Sequence, residues 1–144
     1  MQFEPRNPDY ARTVNDSFAA QGMMQSLGAA ITALAPGQAE ITAPLNPAFG
    51  QQQGYAHAGF TFSLADTAAG YAALSLLPPG HEVLSSEMKL HLLAPGRGQR
   101  LIARGEVVKP GRRLVIVRAD VWAEDGENRT HTATLLGTIV PVPL

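Results

Sequence analysis

Hydrophobic residues recur along this chain in two rhythms, and the change between them marks where helix gives way to strand. Residues 8–25 set Tyr10, Ala11, Val14, Phe18, Met23 and Met24 among polar neighbours, a loosely helical spacing that predicts a short amphipathic helix packed on something larger. Gly28 ends it. Two β-like runs follow, Ala29–Leu34 and Ala39–Pro44, and Pro36-Gly37 between them reads as the turn of a hairpin. A loop of turn formers and amides over 46–54 leads to an almost unbroken apolar run, 58–77. After Pro78-Pro79-Gly80 come four strand-like runs, Val83–Leu93, Leu101–Val108, Leu114–Ala123 and Arg129–Val142. Pro95-Gly96, Pro110-Gly111 and Asp125-Gly126 separate them, and short connections join antiparallel neighbours. The C-terminal half therefore reads as a meander. Helix, two strands, one long helix and four strands make an α+β arrangement with helix and sheet segregated. At 144 residues, without repeat or linker, the pattern predicts one domain over residues 1–144.

In the run 58–77 the one formally charged residue is Asp66, while Phe60, Phe62, Leu64, Tyr71, Leu74, Leu76 and Leu77 point around the whole helical wheel. Such a helix is buried on all sides. About 20 apolar residues also suffice to cross a bilayer, but a mid-helix carboxylate and Pro78-Pro79 at the end argue against a span. The better reading is a sheet of about six strands curling around one central helix. Its alanines and glycine, Ala65, Ala68, Ala69, Gly70, Ala72 and Ala73, let it approach the sheet, or a second copy of itself, closely.

Composition narrows the partners. Eleven Lys and Arg against 12 Asp and Glu give a formal charge of −1, which supplies no basic field for nucleic acid or an anionic membrane. There is no Cys, so disulfides, thiolate metal sites and a Cys nucleophile are excluded. The four His show no short metal-binding spacing with carboxylates, and no metal is expected. The first 17 residues are polar and lack the apolar stretch of a secretory signal, so a cytoplasmic location is expected.

Asp66 needs an explanation, because an ionised carboxylate inside an apolar helix is costly unless it is paired or put to use. It either bridges buried backbone groups or does chemistry. Gly59 lies near the start of the same helix, where free N–H groups and the helix dipole can polarise a carbonyl oxygen; it can equally be a helix-start glycine. Seven residues put the two on one helix face about 10 Å apart along the axis, too far to meet at one carbonyl carbon. Two antiparallel copies of the helix around a two-fold axis bring Gly59 of one chain beside Asp66 of the other. The spacing thus predicts a homodimer with two equivalent shared sites.

The string Gln51-Gln52-Gln53-Gly54-Tyr55-Ala56-His57-Ala58-Gly59, followed by Leu64-Ala65-Asp66-Thr67-Ala68-Ala69-Gly70, resembles the motif of the phenylacetate-degradation (PaaI-like) hotdog thioesterases, over roughly residues 27–140. Their pattern is an amide-bearing residue, His-Gly-Gly, then Leu-x-Asp with a Gly four residues later. The resemblance implies the hotdog fold, which the element pattern also describes, and hydrolysis of acyl-CoA thioesters. It implies Asp66 as nucleophile or general base, the Gly59 N–H as the group that polarises the thioester carbonyl, His57 for the family His, and Gln51 or Gln52 for the amide. Ser85 stands where some relatives carry a Ser that places the attacking water. Homodimers, and dimers of dimers, are implied, with no cofactor beyond the coenzyme A of the substrate. The sequence departs from the pattern in Ala58 for the first Gly and Gln for the usual Asn. His57 can alternatively be a helix cap and the Gln run a polar loop.

Lys109, Arg112 and Arg113 flank the Pro110-Gly111 turn and suit the phosphates of coenzyme A, although such a hairpin is often only solvated. No Gly-x-Ser-x-Gly elbow, Walker loop or dinucleotide fingerprint occurs. Two other readings stand beside hydrolysis: a hotdog enoyl-CoA hydratase or dehydratase, and a non-catalytic acyl-CoA binding module.

Overall fold

The computed structural model describes residues 2–144. Its elements run α1 (Tyr10–Ala19), α2 (Gly22–Ser26), β1 (Ala30–Ala35), β2 (Gln38–Pro44), a 3₁₀ turn at Pro47–Phe49, α3 (Ala58–Leu74), β3 (His81–Leu92), β4 (Arg100–Lys109), β5 (Val115–Asp125) and β6 (Asn128–Pro143). Six strands form one antiparallel sheet around α3, the hotdog arrangement expected from the pattern. Among the described residues no helix is long and apolar enough to cross a membrane.

Three expectations change. The helix expected over 8–25 is two, because the chain breaks at Ala20-Gln21 and Gln21 turns its side chain to Tyr71. Gly28 does close α2, with a φ of 65°. Its N–H donates to Gln25 O and that of Ala29 to Met24 O, which satisfies the last carbonyls of the helix. The helix expected over 58–77 stops at Leu74. Ser75 Oγ donates to Ala72 O, Leu76 and Leu77 close tight three-residue turns, and Pro78-Pro79 forbid continuation.

The larger change is the meander. Strand order is β1-β2-β4-β5-β6-β3, so β4, β5 and β6 do form a meander, but β3 pairs with β6 at the sheet edge and not with β4. Pro95-Gly96 lies in a crossing, not a hairpin. Residues 93–99 must pass three strand spacings, about 14 Å, which seven extended residues reach easily. The crossing is pinned by Leu93 N–H to Thr132 O (2.8 Å), Ala56 N–H to Gly96 O (2.8 Å) and Gln99 N–H to Glu124 O (2.8 Å).

The core lies between α3 and the concave sheet face. Ala65, Ala68, Ala69, Ala72 and Ala73 are completely buried against inward-facing Ile41, Leu101, Ala103, Val117, Ala119 and Leu135. Small residues on both sides set the distance. At Gly105 in β4 a Cβ would stand 2.5 Å from the Ala69 nitrogen and overlap the Ala68 carbonyl. We expect Gly105→Ala to push α3 off the sheet and cost about 1–3 kcal/mol, the usual price of overpacking. A lowered urea midpoint checks this; an unchanged one shows that the helix can yield. On the outer face, burial raises the Glu40 carboxyl, but hydrogen bonds from Arg104 and Thr32 outweigh it and hold the group below its usual range.

Candidate active site

The wheel of α3 predicts burial on every side, and its second half obeys. In the first half one stripe is left uncovered: Ala58 and Gly59 are exposed, and Phe62, Ser63 and Asp66 half-buried. Asp66 thus sits on a rim and not in the core, which removes most of the cost of burying its charge.

Ser85 donates to Asp66 Oδ1 at 2.6 Å. A bulge in the β3–β6 register between Ser85 and Glu87 makes this possible. The extra residue lets Val83 and Ser85 face the helix while Met88 and Leu90 still face the core, the re-aiming that bulges perform beside functional sites. Asp66 and Ser85 line a cleft of about 450 Å³ with Phe62, Val83, Met23 and Tyr71. Its far end is polar. Tyr71 Oη takes a hydrogen bond from Gln21 Nε2 at 3.2 Å and lies 3.3 Å from Ser17 Oγ, and Thr67 Oγ1 donates to Gln21 Oε1 at 3.4 Å. Burial pushes the Tyr71 phenol up, so it stays protonated well past neutrality. Tyr71 reads from the sequence only as apolar, because its partners lie 50 and 54 residues away.

His57 and Gly59 are also brought together. His57 is the N-cap of α3, with Nδ1 accepting from Gly59 N–H at 2.8 Å. This is the helix-cap alternative, and it occupies the donor assigned to a thioester carbonyl. His57 and Gly59 are exposed, so a ring rotation about χ1 releases the N–H. Gln51 is folded into its own turn: its Oε1 accepts from Gln53 N–H, and its Nε2 lies 3.3 Å from Gln53 Oε1. Gln52 is exposed at the turn's tip. Gln51 and Gln53, with Tyr55, border a second cleft beside the start of α3.

Lys109, Arg112 and Arg113 are exposed and stand far from Gly59 within one chain. The C-terminal end of α3 is tied to the β1–β2 turn by Gly37 N–H to Ser75 Oγ (2.7 Å), and Val107 N–H donates to Gly37 O at 2.9 Å. The basic hairpin therefore sits at that end, with His57 and Gly59 at the opposite one.

A helix cradled by a six-stranded antiparallel sheet is the hotdog fold. Residues 53–130 match the thioesterase superfamily. A thioesterase family protein from Silicibacter pomeroyi is 41% identical, with a TM-score of 0.92 over 94% of this chain and 99% of that one. The Haemophilus influenzae thioesterase is similar in fold (23% identity, TM-score 0.79, 90% and 89% covered). So is the PaaI protein of the E. coli phenylacetic acid degradation operon (21%, 0.84, 95% and 96%). The chain belongs to the thioesterase superfamily and is a thioester hydrolase.

Proposed function

We propose that the protein hydrolyses acyl-CoA thioesters to the free acid and coenzyme A, at sites shared between two chains. The observation that carries the reading is Asp66: a carboxylate on the half-buried stripe of α3, hydrogen-bonded by Ser85 through one oxygen and lining a cleft large enough for an acyl group. Its other oxygen attacks the thioester carbon or takes a proton from the attacking water. The acyl–sulfur bond breaks, the thiol leaves with a proton, and water's oxygen ends in the acid.

Carbonyl polarisation comes from the other chain. Among the described residues the stripe is exposed or only half-buried and the outer edge of β3 pairs with no strand, and a long bare edge strand invites pairing with a second copy. An antiparallel pair of β3 edges joins two sheets and lays the two α3 stripes against each other, Gly59 of one near Asp66 of the other. His57 then yields the Gly59 N–H to the developing oxyanion, and Gln51 or Gln52 positions water or the thioester. The same symmetry carries Lys109, Arg112 and Arg113 of one chain to the Gly59 end of its partner, where they meet coenzyme A phosphates. Exposed Leu84 and Leu136 on the outer sheet face offer a surface for a dimer of dimers.

Hydrolysis and hydration are separated by offering a 2-enoyl-CoA and its saturated counterpart. We expect free thiol from both, with the double bond retained in the acid product. Loss of the double bond without thiol release would assign the site to a hydratase.

A further inference from the structure

The cleft beside Asp66 ends in polar groups that the chemistry above does not use. Gln21 is at their centre, placed there by the break between α1 and α2. Its Nε2 donates to Tyr71 Oη at 3.2 Å, and its Oε1 accepts from Thr67 Oγ1 at 3.4 Å. Ser17 Oγ lies 3.3 Å from the same Tyr71 Oη. One hydroxyl proton serves the Ser17–Tyr71 contact, so the other proton of that pair is left for a ligand, as is the second amide proton of Gln21. The charged side chains that line this cleft are Asp66 and Glu82, and no Lys, Arg or His lines it among the described residues. Burial raises the Tyr71 phenol most, and the Glu82 charge pushes it the same way. Ser17 and Gln21 lie before residues 53–130, the part that matches the superfamily, so the family match does not account for them.

We propose that this end of the cleft makes the enzyme selective for acyl groups that finish in an uncharged oxygen, a hydroxyl above all, with Gln21 and Tyr71 binding that oxygen and Glu82 turning away a terminal carboxylate. The inference rests on the acyl-CoA reading above and names the class of acyl group. Tyr71 is five residues beyond Asp66 on α3, about 7.5 Å along the axis, so a chain held with its carbonyl at Asp66 must be of medium length to reach it. Met23, Phe62 and Val83 give such a chain apolar walls on the way. An apolar terminus strips water from the donors of Gln21 and the hydroxyls and returns no hydrogen bond, and a donor left unpaired costs more than a pair contributes. A hydroxyl replaces that water. A carboxylate also accepts from these donors, but charge decides against it. It would lie between two acidic side chains with no cation lining the cleft, and like charges this close are little screened by salt.

The test measures kcat/KM by thiol release from hexanoyl-, ω-hydroxyhexanoyl- and adipoyl-CoA, which have equal chain length. In the wild-type protein we expect the hydroxylated chain to be favoured over hexanoyl about fivefold, the worth of one hydrogen bond, and adipoyl-CoA to be the poorest substrate. Gln21→Met, which keeps the length of the side chain without its amide, is expected to remove the preference for the hydroxyl. Tyr71→Phe should do the same, its ring still held edge-on by Phe18. Glu82→Gln is expected to raise adipoyl relative to hexanoyl about tenfold, whereas Glu127→Gln, the same change on the exposed β5–β6 turn, should leave both ratios intact. Hexanoyl- or adipoyl-CoA as the preferred wild-type substrate overturns this inference alone. So do ratios that the Gln21, Tyr71 and Glu82 variants leave unmoved, or hydrolysis confined to an arylacetyl-CoA. No thiol from any of these thioesters overturns the acyl-CoA reading beneath it.

Discussion

Asp66→Asn is expected to lower kcat by at least about two orders of magnitude while fold and oligomeric state persist, the loss usual when a positioned base or nucleophile is removed. The structure explains why the fold should survive. Asp66 lies on the half-buried rim of α3, and an amide oxygen accepts the Ser85 hydroxyl as a carboxylate oxygen does. What the amide cannot do is attack the acyl carbon or take a proton. Near wild-type hydrolysis by the Asn variant, with unchanged circular dichroism, would remove Asp66 from the chemistry and leave it a partner for Ser85.

The second large effect tests the shared site through mixed dimers. Gly59 is the second residue of α3, in the first turn, where proline is tolerated because that N–H has no helical partner. A Cβ there would stand 3.1 Å from His57 Nδ1, and the exposed ring has room to move. Gly59→Pro thus deletes the donor as Asp66→Asn deletes the carboxylate, and each homodimer should be nearly inactive. In a mixed dimer one site pairs the intact Gly59 of one chain with the intact Asp66 of the other, while its second site carries both defects. With random exchange at equal amounts, roughly half the dimers are mixed, so about a quarter of wild-type activity should return. Heterodimers verified by native mass spectrometry that restore no hydrolysis would place each site within one chain.

Much of this was legible in the sequence because it depends on local pattern. Pro36-Gly37 and Asp125-Gly126 mark real hairpin turns, the apolar run from Ala58 marks the core helix, and its lone Asp66 marks the rim. What escaped depends on contacts between distant residues. Pro95-Gly96 looks like a hairpin turn, and nothing local reveals that β4 pairs with β2 and β5 while β3 joins β6. The uncovered stripe of α3 was hidden because Gly59, Phe62 and Ser63 do not read as a polar face; they are apolar or small, as a surface meant for a second copy would be. Tyr55 and Arg97 are 42 positions apart and meet through the unexpected crossing before β4. Both readings of His57, as helix cap and as proposed site residue, were legible. The structure shows the first of these, and the second requires the ring to turn.

The most direct test of the account is turnover itself. Purified protein is offered short aliphatic, medium-chain and arylacetyl-CoA thioesters, and free thiol is followed alongside calorimetric binding of each. We expect saturable thiol release from at least one class, abolished by Asp66→Asn with binding retained. Tight binding across the panel, with no thiol released by the wild-type protein, would contradict the account and make this chain an acyl-CoA binding module.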